Sequence, residues 1–300
     1  MSSKIYISVC PVCEGTEFEQ MFDCVDNLVS KESFTICKCK KCGFGFTQDF
    51  PSESEIGHYY ESAEYVSHSD TKKGVINMLY HQARKIALRS KTNIVKEFAA
   101  VEHGMLADIG CGTGYFLNEM KENKWVVTGI EQSAAVRKQV KTKFNLDVQD
   151  ADYINHLSPK SKDVITMWHV LEHLENPGKV LDILHAAMKD DGVGIIALPN
   201  KESYDAHHYK SDWAAYDVPR HLWHFSADDF ELLANKHKFD LVDIKPMYFD
   251  ALYISMLSEK NRKTFLETLL GLIRGGVYSL RSRQSLKHCS SLIYIIKKKK

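Results

Sequence analysis

Two short cysteine pairs, Cys10-Pro-Val-Cys13 and Cys39-Lys-Lys-Cys42, stand 25 residues apart near the start of the chain. Four thiolates so spaced suit a tetrahedral zinc ion, because each CxxC turn brings two sulfurs and nearby backbone amides to one point. Cys24 and Cys37 are left over and read as small apolar strand residues, with Cys37 a competitor to Cys39 for ligation. A second group is the loop Gly110-Cys111-Gly112-Thr113-Gly114. Alternating glycines permit a tight turn and close backbone approach to a ligand, at a helix N-terminus whose free N–H groups favour anionic groups. A third is His169-Val-Leu-Glu172-His173, where imidazoles four apart share a helical face and with the glutamate could ligate a metal. The fourth is "DVPRHLWHFS", residues 217–226, which gathers Arg220, His221, Trp223, His224 and Phe225 behind a proline. Imidazole titrates near neutral pH and suits a general base.

Elements that would position these residues follow from periodicity. A short apolar strand, Met105 to Ile109, runs into the glycine loop, and an amphipathic helix follows it. "WVVTGIE" is a second strand ending in Glu131, 17 residues past Gly114. "LDV" leads to Asp150, and "DVITMWHV" and "GVGIIALPN" are the fourth and fifth strands. Strands alternating with helices predict an α/β fold, a parallel sheet with its ligand at the carboxyl ends of the strands. A dinucleotide loop, GxGxxG, would need glycine where Tyr115 stands. A carboxylate at the end of the second strand can still accept both ribose hydroxyls of a nucleoside. "FDLVDIKPM" and "SSLIYIIKKKK" complete the sheet as an antiparallel pair, and Ser226 with Asp229 forms a helix capping box.

Residues 105–200 resemble the class I S-adenosylmethionine-dependent methyltransferases, through "DIGCGTG", "GIE" and "VITMWHVLEHLENP" together. The resemblance implies a Rossmann-like sheet with helices on both faces and S-adenosylmethionine as cofactor. Asp108 and the backbone of Gly110, Cys111, Gly112 and Gly114 would hold its methionine portion. Glu131, with Gln132 beside it, would bind the ribose, and Asp150 would sit near the adenine amino group. Trp168 and His169 would border the sulfonium and the acceptor. Quinone O-methyltransferases carry a divalent-metal acidic cluster near this turn, but His169 stands where their first acidic ligand does. The whole layout, cysteine ribbon included, resembles a branch linked to sugar and cell-surface polysaccharide methylation. A nucleotide-linked sugar or glycan precursor is then the first expectation for the acceptor, a quinone or other aromatic O-methyl acceptor the second.

The domain plan is a zinc ribbon at 1–50, a helical connector at 51–104 and a methyltransferase domain at 105–300. Within the last, 199–226 is expected to be a substrate lid in which His221 or His169 is the base. Arg220 would orient an anionic or carbonyl group, with Trp223 and His224 beside the substrate and Trp223 and Phe225 as loop anchors in the alternative. The ribbon carries five Lys/Arg against seven Asp/Glu, which argues against a phosphate-binding surface and an RNA-modifying enzyme. A non-catalytic module retaining the cofactor fold is the other rival class. Overall charge is zero, yet Glu259 to Lys300 holds eleven Lys/Arg and two Asp/Glu. The amphipathic, basic part of it that lies in a helical insertion at 251–290 covers the substrate cleft or meets a phosphorylated substrate or an anionic membrane surface. No apolar run approaches the roughly 18 residues of a membrane span, and "MSSKIYISVCPVC" has no signal-peptide core. A cytoplasmic protein is expected, its thiols reduced and free for metal.

Overall fold

The computed structural model describes residues 4–60 and 75–300. Its N-terminal strands are β1 (Lys4–Ile5), β2 (Phe18–Val25), β3 (Ser33–Cys39), β4 (Gly45–Thr47) and β5 (Phe50–Pro51). Helix α1 (Val75–Phe98) leads into β6 (Met105–Ile109), α2 (Tyr115–Glu122), β7 (Val126–Ile130), α3 (Ala134–Phe144) and β8 (Val148–Gln149). Next come β9 (Lys162–Trp168), α4 (Pro177–Ala187), β10 (Met188–Pro199), α5 (Tyr204–Tyr209) and β11 (Trp223–His224). The chain closes with α6 (Ala227–Lys236), β12 (Phe239–Pro246), α7 (Asp250–Asn261), α8 (Glu267–Ser282) and β13 (Ser291–Lys298).

Seven strands form the central sheet in the order β12-β13-β10-β9-β6-β7-β8. The five from β10 to β8 are parallel, and β13 runs antiparallel between β10 and β12. Alternate residues feed two cores. Leu106, Val164 and Ile195 face the cluster under α1 and α2, while Ala107, Ile165 and Ile196 face the one under α4 and α6. The near-continuous apolar run "SLIYII" of β13 is buried on both faces, as a central strand requires. This is the mixed α/β sheet flanked by helices that the alternation predicts. Strand order reverses between β6 and β9, so the crevice for a ligand opens at their carboxyl ends.

A second sheet, β11-β4-β3-β2, joins the N-terminal hairpin to the segment after β10. Trp223 pairs with Phe46 and His224 with Gly45. The N-terminal module therefore does not close at residue 50: its edge strand comes from more than 170 residues later in the chain. Of the helical connector expected at 51–104, residues 61–74 lie outside the described residues. The capping box at Ser226 is formed, with the Asp229 N–H donating to Ser226 Oγ at 3.2 Å and the Ser226 N–H to Asp229 Oδ2 at 2.8 Å.

Candidate functional site

At the carboxyl end of β6, Gly110, Gly112 and Gly114 take φ values of +67°, +50° and +74°. A Cβ on Gly110 would lie 2.4 Å from Val170, whereas one on Gly112 would meet nothing within 4 Å. Gly112 thus leaves a bare backbone facing open space, where a ligand can approach. Glu131, just past β7, accepts the Gly112 N–H at 3.0 Å and the Ser133 N–H at 2.9 Å. Its carboxylate is held at the loop with lone pairs to spare. Asp108 is buried, accepts Thr166 Oγ1 at 2.6 Å, and is pushed up to about 7 by burial, against the opposing pull of Thr166 and Lys91. Asp150 ends the extended segment after β8 and opens a 3-10 turn.

Trp168 packs edge-on to Phe116 with ring centroids 5.3 Å apart, and the Lys91 ammonium lies 4.3 Å from its ring centroid. Burial lowers the Lys91 pKa, while Asp108 and Asp250 oppose that. The Lys91 amine therefore sits between an aromatic face and two acidic side chains. The buried indole N–H of Trp168 has no hydrogen-bond partner among the described residues. The bare Gly112 backbone, the Glu131 carboxylate and the unpartnered indole N–H are polar groups that fit a nucleoside.

His169 leaves β9 with φ +58°, a left-handed turn that directs its ring between two carboxylates. Nε2 is 3.1 Å from Asp250 at the start of α7, and Nδ1 is 3.4 Å from Glu172. Burial disfavours its charge, but Asp250 and Glu172 outweigh that and raise the pKa to about 9. That shift favours the imidazolium, and with both ring nitrogens facing carboxylates His169 is less suited to act as a base than its place at the exit of β9 suggests.

The metal cluster read as His169, Glu172 and His173 is not what the fold assembles either. Ligand atoms of Glu172, His173 and His221 lie within 4.8 Å of one another, close enough to share a cation or relay a proton. Glu172 is fully buried and accepts no hydrogen bond of good geometry from a described residue. The His173 ring meets that of His221 at 4.5 Å, edge to face. Its Nδ1–H donates to the Arg220 carbonyl at 3.0 Å, and burial followed by His221 drives its pKa down to about 4. His221 Nδ1–H donates to the Ala215 carbonyl at 2.8 Å, leaving Nε2 as the basic atom.

The rest of "PRHLWHF" serves a different purpose from the one its composition suggests. Arg220 is 1% exposed. Its Nη2 donates to Asp26 at 2.9 Å and Asp217 at 2.6 Å, its Nη1 to the Tyr59 carbonyl at 2.8 Å, and its Nε to Asp217 at 3.1 Å. A guanidinium so engaged cannot orient an acceptor. Trp223 is buried, donates its indole N–H to the Leu174 carbonyl at 2.7 Å and stacks on Phe44. Thr47 Oγ1 donates to the His221 carbonyl at 2.7 Å, so His224 must donate its Nε2–H to that oxygen, at 3.0 Å. Burial, then His221 and Lys201, keep the His224 ring neutral, well below its ordinary pKa. Arg220, Trp223 and His224 are thus docking residues between the N-terminal sheet and the main body, not substrate contacts, because each is buried with its polar atoms engaged. Residues 222–225 are buried, which favours the loop-anchor alternative for Trp223 and Phe225. Sequence reasoning missed Asp26, Asp217, Asp250, Lys91 and Thr166. Only Asp250 carried a local signal, as an acidic residue opening a helix.

In the N-terminal module, Cys10 Sγ lies 3.7 Å from Cys42 Sγ and Cys13 Sγ 3.5 Å from Cys39 Sγ. All four sulfurs fall within 4.8 Å of one another. A tetrahedron with metal–sulfur bonds of about 2.3 Å has edges of about 3.8 Å, so the donor set fits zinc. Gly43 (φ +81°) turns the second knuckle, donating its N–H to the Cys39 carbonyl at 2.8 Å. Cys37 instead sits in the β3 ladder, opposite Gln20 and Phe46. Burial raises Cys10 to about 11 and Cys42 further still, a penalty that a dication bound to thiolates would reverse.

Comparison with known proteins bears on this arrangement. A Saccharophagus degradans protein named ubiquinone biosynthesis O-methyltransferase is 28% identical over 109 residues, 34% of this chain and 46% of that protein. An uncharacterized protein of Methanocaldococcus jannaschii is 24% identical over 171 residues, 56% of this chain and 73% of its own length. Among solved structures, a chain from the complex between the Haloferax volcanii Trm112 methyltransferase activator and a presumed methyltransferase is 12% identical. It has a TM-score of 0.50 and covers 77% of this chain and all 100% of that one, a likeness of fold alone. This chain spans about half the length of the first of these curated relatives. The family described as methyltransferase domain matches residues 80–244. That span is more than half of the chain and contains the glycine loop, Glu131 and the exit of β9, so the chain belongs to the methyltransferase-domain family.

Proposed function

We propose that this protein transfers a methyl group from S-adenosylmethionine to a small-molecule acceptor, a nucleotide-linked sugar or glycan precursor. The observation that carries the reading is the crevice of Gly112, Glu131, Asp108 and Trp168, a bare backbone, a carboxylate pair and an orphaned indole N–H. S-adenosylmethionine bound there would supply an electrophilic methyl carbon on a sulfonium. Glu131 would accept the ribose hydroxyls, Asp108 would lie by the methionine portion, and Trp168 would border the sulfonium. His221, as general base, would take the acceptor's proton at Nε2, and its Nδ1–H bond to the Ala215 carbonyl fixes that tautomer. A quinone O-methyl acceptor is the second reading, favoured by the relatives named for ubiquinone biosynthesis. Supplying both acceptor classes with labelled cofactor decides between them.

Glu131→Ala removes a charge-assisted hydrogen-bond pair. It should weaken cofactor binding by about 1.5–3 kcal/mol in calorimetry. A native protein that prefers a nicotinamide dinucleotide would sink the assignment.

The four cysteines are proposed to hold one structural zinc. Metal analysis of protein purified without added zinc should then give one equivalent per chain. Chelation should loosen the N-terminal sheet and leave cofactor affinity largely intact. If Cys39→Ser keeps the zinc while Cys37→Ser loses it, the ligand set is wrong.

A further inference from the structure

Helix α8 is turned inside out relative to an ordinary surface helix. Its buried positions are Gly271, Gly275, Tyr278 and Ser282. A Cβ on Gly271 would lie 2.4 Å from Met256 Cα, and one on Gly275 would lie 2.5 Å from the Ala251 carbonyl oxygen. The two glycines therefore bring α8 against the backbone of α7, and the leucines are left on the far side. Leu269, Leu272, Ile273, Val277 and Leu280 recur at helical spacing and are 43–61% exposed. At the tip of the hairpin, Phe265 is 87% and Leu266 57% exposed. This contiguous apolar stripe exceeds the scattered exposed residues of an ordinary surface.

Charge tells what covers it. Lys260, Lys263, Arg281 and Arg283 are exposed along the hairpin. Arg274 and Arg281, seven residues apart, share one flank of the stripe, and Arg274 is held there by Glu259. From Asp250 to Ser282 the hairpin carries five Lys/Arg against three Asp/Glu, and Arg283 follows directly. A second copy placed on this face would bring like charges together, whereas a surface of anionic lipid complements both the stripe and its basic border. Helix α8 has 16 residues, and among the described residues no helix is long and apolar enough to cross a membrane. The fitting geometry is thus a helix lying in the interface. We propose that the α7–α8 hairpin docks this protein on an anionic phospholipid bilayer, with Phe265 and Leu266 entering first. The hairpin is rooted at the candidate site, since Asp250 opens α7 and contacts His169. The 12 residues of α7 span about 18 Å, which sets the distance from that root to the docking tip.

Co-sedimentation of the full chain with vesicles tests this. The protein should pellet with phosphatidylcholine vesicles containing about 30 mol% phosphatidylglycerol and stay in solution with phosphatidylcholine alone. Added salt should weaken the association. The pairs Phe265→Asp with Leu269→Asp, and Lys263→Glu with Arg281→Glu, should each reduce binding by on the order of tenfold or more. Because all four residues are exposed, melting temperature and cofactor affinity should stay native and serve as the folding control. Native protein that ignores both vesicle types overturns the proposal. So does a concentration-dependent dimer, seen by sedimentation equilibrium and abolished by Leu269→Asp, which would assign the face to a second copy.

Discussion

Replacing His221 by asparagine is expected to lower kcat by about 10²–10⁴-fold, with cofactor affinity and melting temperature close to native. The asparagine side-chain amide can keep the bond that His221 Nδ1 makes to the Ala215 carbonyl at 2.8 Å, so the loop retains its anchor while the basic Nε2 is lost. Elimination among the three neighbouring imidazoles supports the choice. His169 is held as a cation, near pKa 9, between Asp250 and Glu172, and His173 is driven to about 4, too weak to draw a proton from a hydroxyl. The raised His169 has a stability consequence of definite sign. The clamp between the exit of β9 and the start of α7 is complete below the ordinary imidazole pKa of about 6.5 and is lost as pH rises through about 9. Imidazole titration by NMR should find His169 protonated at neutral pH. Full activity in His221→Asn, with a comparable kcat loss in a natively folded His169→Asn, would reverse the assignment. Activity that vanishes with a chelator and returns with added magnesium would place a cation among Glu172, His173 and His221 instead.

The parts legible in the sequence are those that local chemistry dictates. Gly110, Gly112 and Gly114 announce a left-handed loop because only glycine takes those angles cheaply, and an apolar strand before them fixes where the loop must lie. The apolar run of β13 identifies a doubly buried strand for the same local reason. Glu131 is readable because it directly follows an apolar strand, β7, that pairs in parallel with the strand feeding the glycine loop. The anchoring role of "PRHLWHF" is not legible because composition reports aromatic and charged character but not burial. The strand pairing of Trp223 and His224 with Phe46 and Gly45 is a contact across more than 170 residues. Nothing in either segment marks the other as its partner. Asp26 and Asp217 are likewise ordinary turn aspartates until the fold brings Arg220 between them. The roles of the three histidines depend on which carboxylates surround each ring, and those come from the turn after β9, the loop before β11, and α7.

Arg220→Ala is expected to be the most destabilising of the loop substitutions, by about 3–5 kcal/mol, because it strands two buried or half-buried carboxylates without their counter-ion. For a chain of 300 residues that corresponds to a fall of roughly 5–8 °C in Tm. Asp26 also accepts N–H groups from Leu28, Val29 and Ser30, so the turn between β2 and β3 is built around the carboxylate that Arg220 neutralises. Burial opposes ionisation of Asp26 and of Asp217. Arg220 and the turn amides overcome this for Asp26, and Arg220 with His221 and His173 for Asp217, holding both below the ordinary range. The clamp is therefore intact above about pH 4 and is lost as acid titrates the carboxylates below it. Arg220→Lys should rescue little, since one ammonium cannot fork between Asp26, Asp217 and the Tyr59 carbonyl. Adding Asp26→Asn to Arg220→Ala should recover part of the loss by removing one uncompensated charge. Kinetics separate this role from substrate contact. A docking residue lowers Tm and loosens the N-terminal sheet, with KM for the acceptor unchanged in the protein that remains folded. A raised KM at native Tm would instead return Arg220 to the substrate.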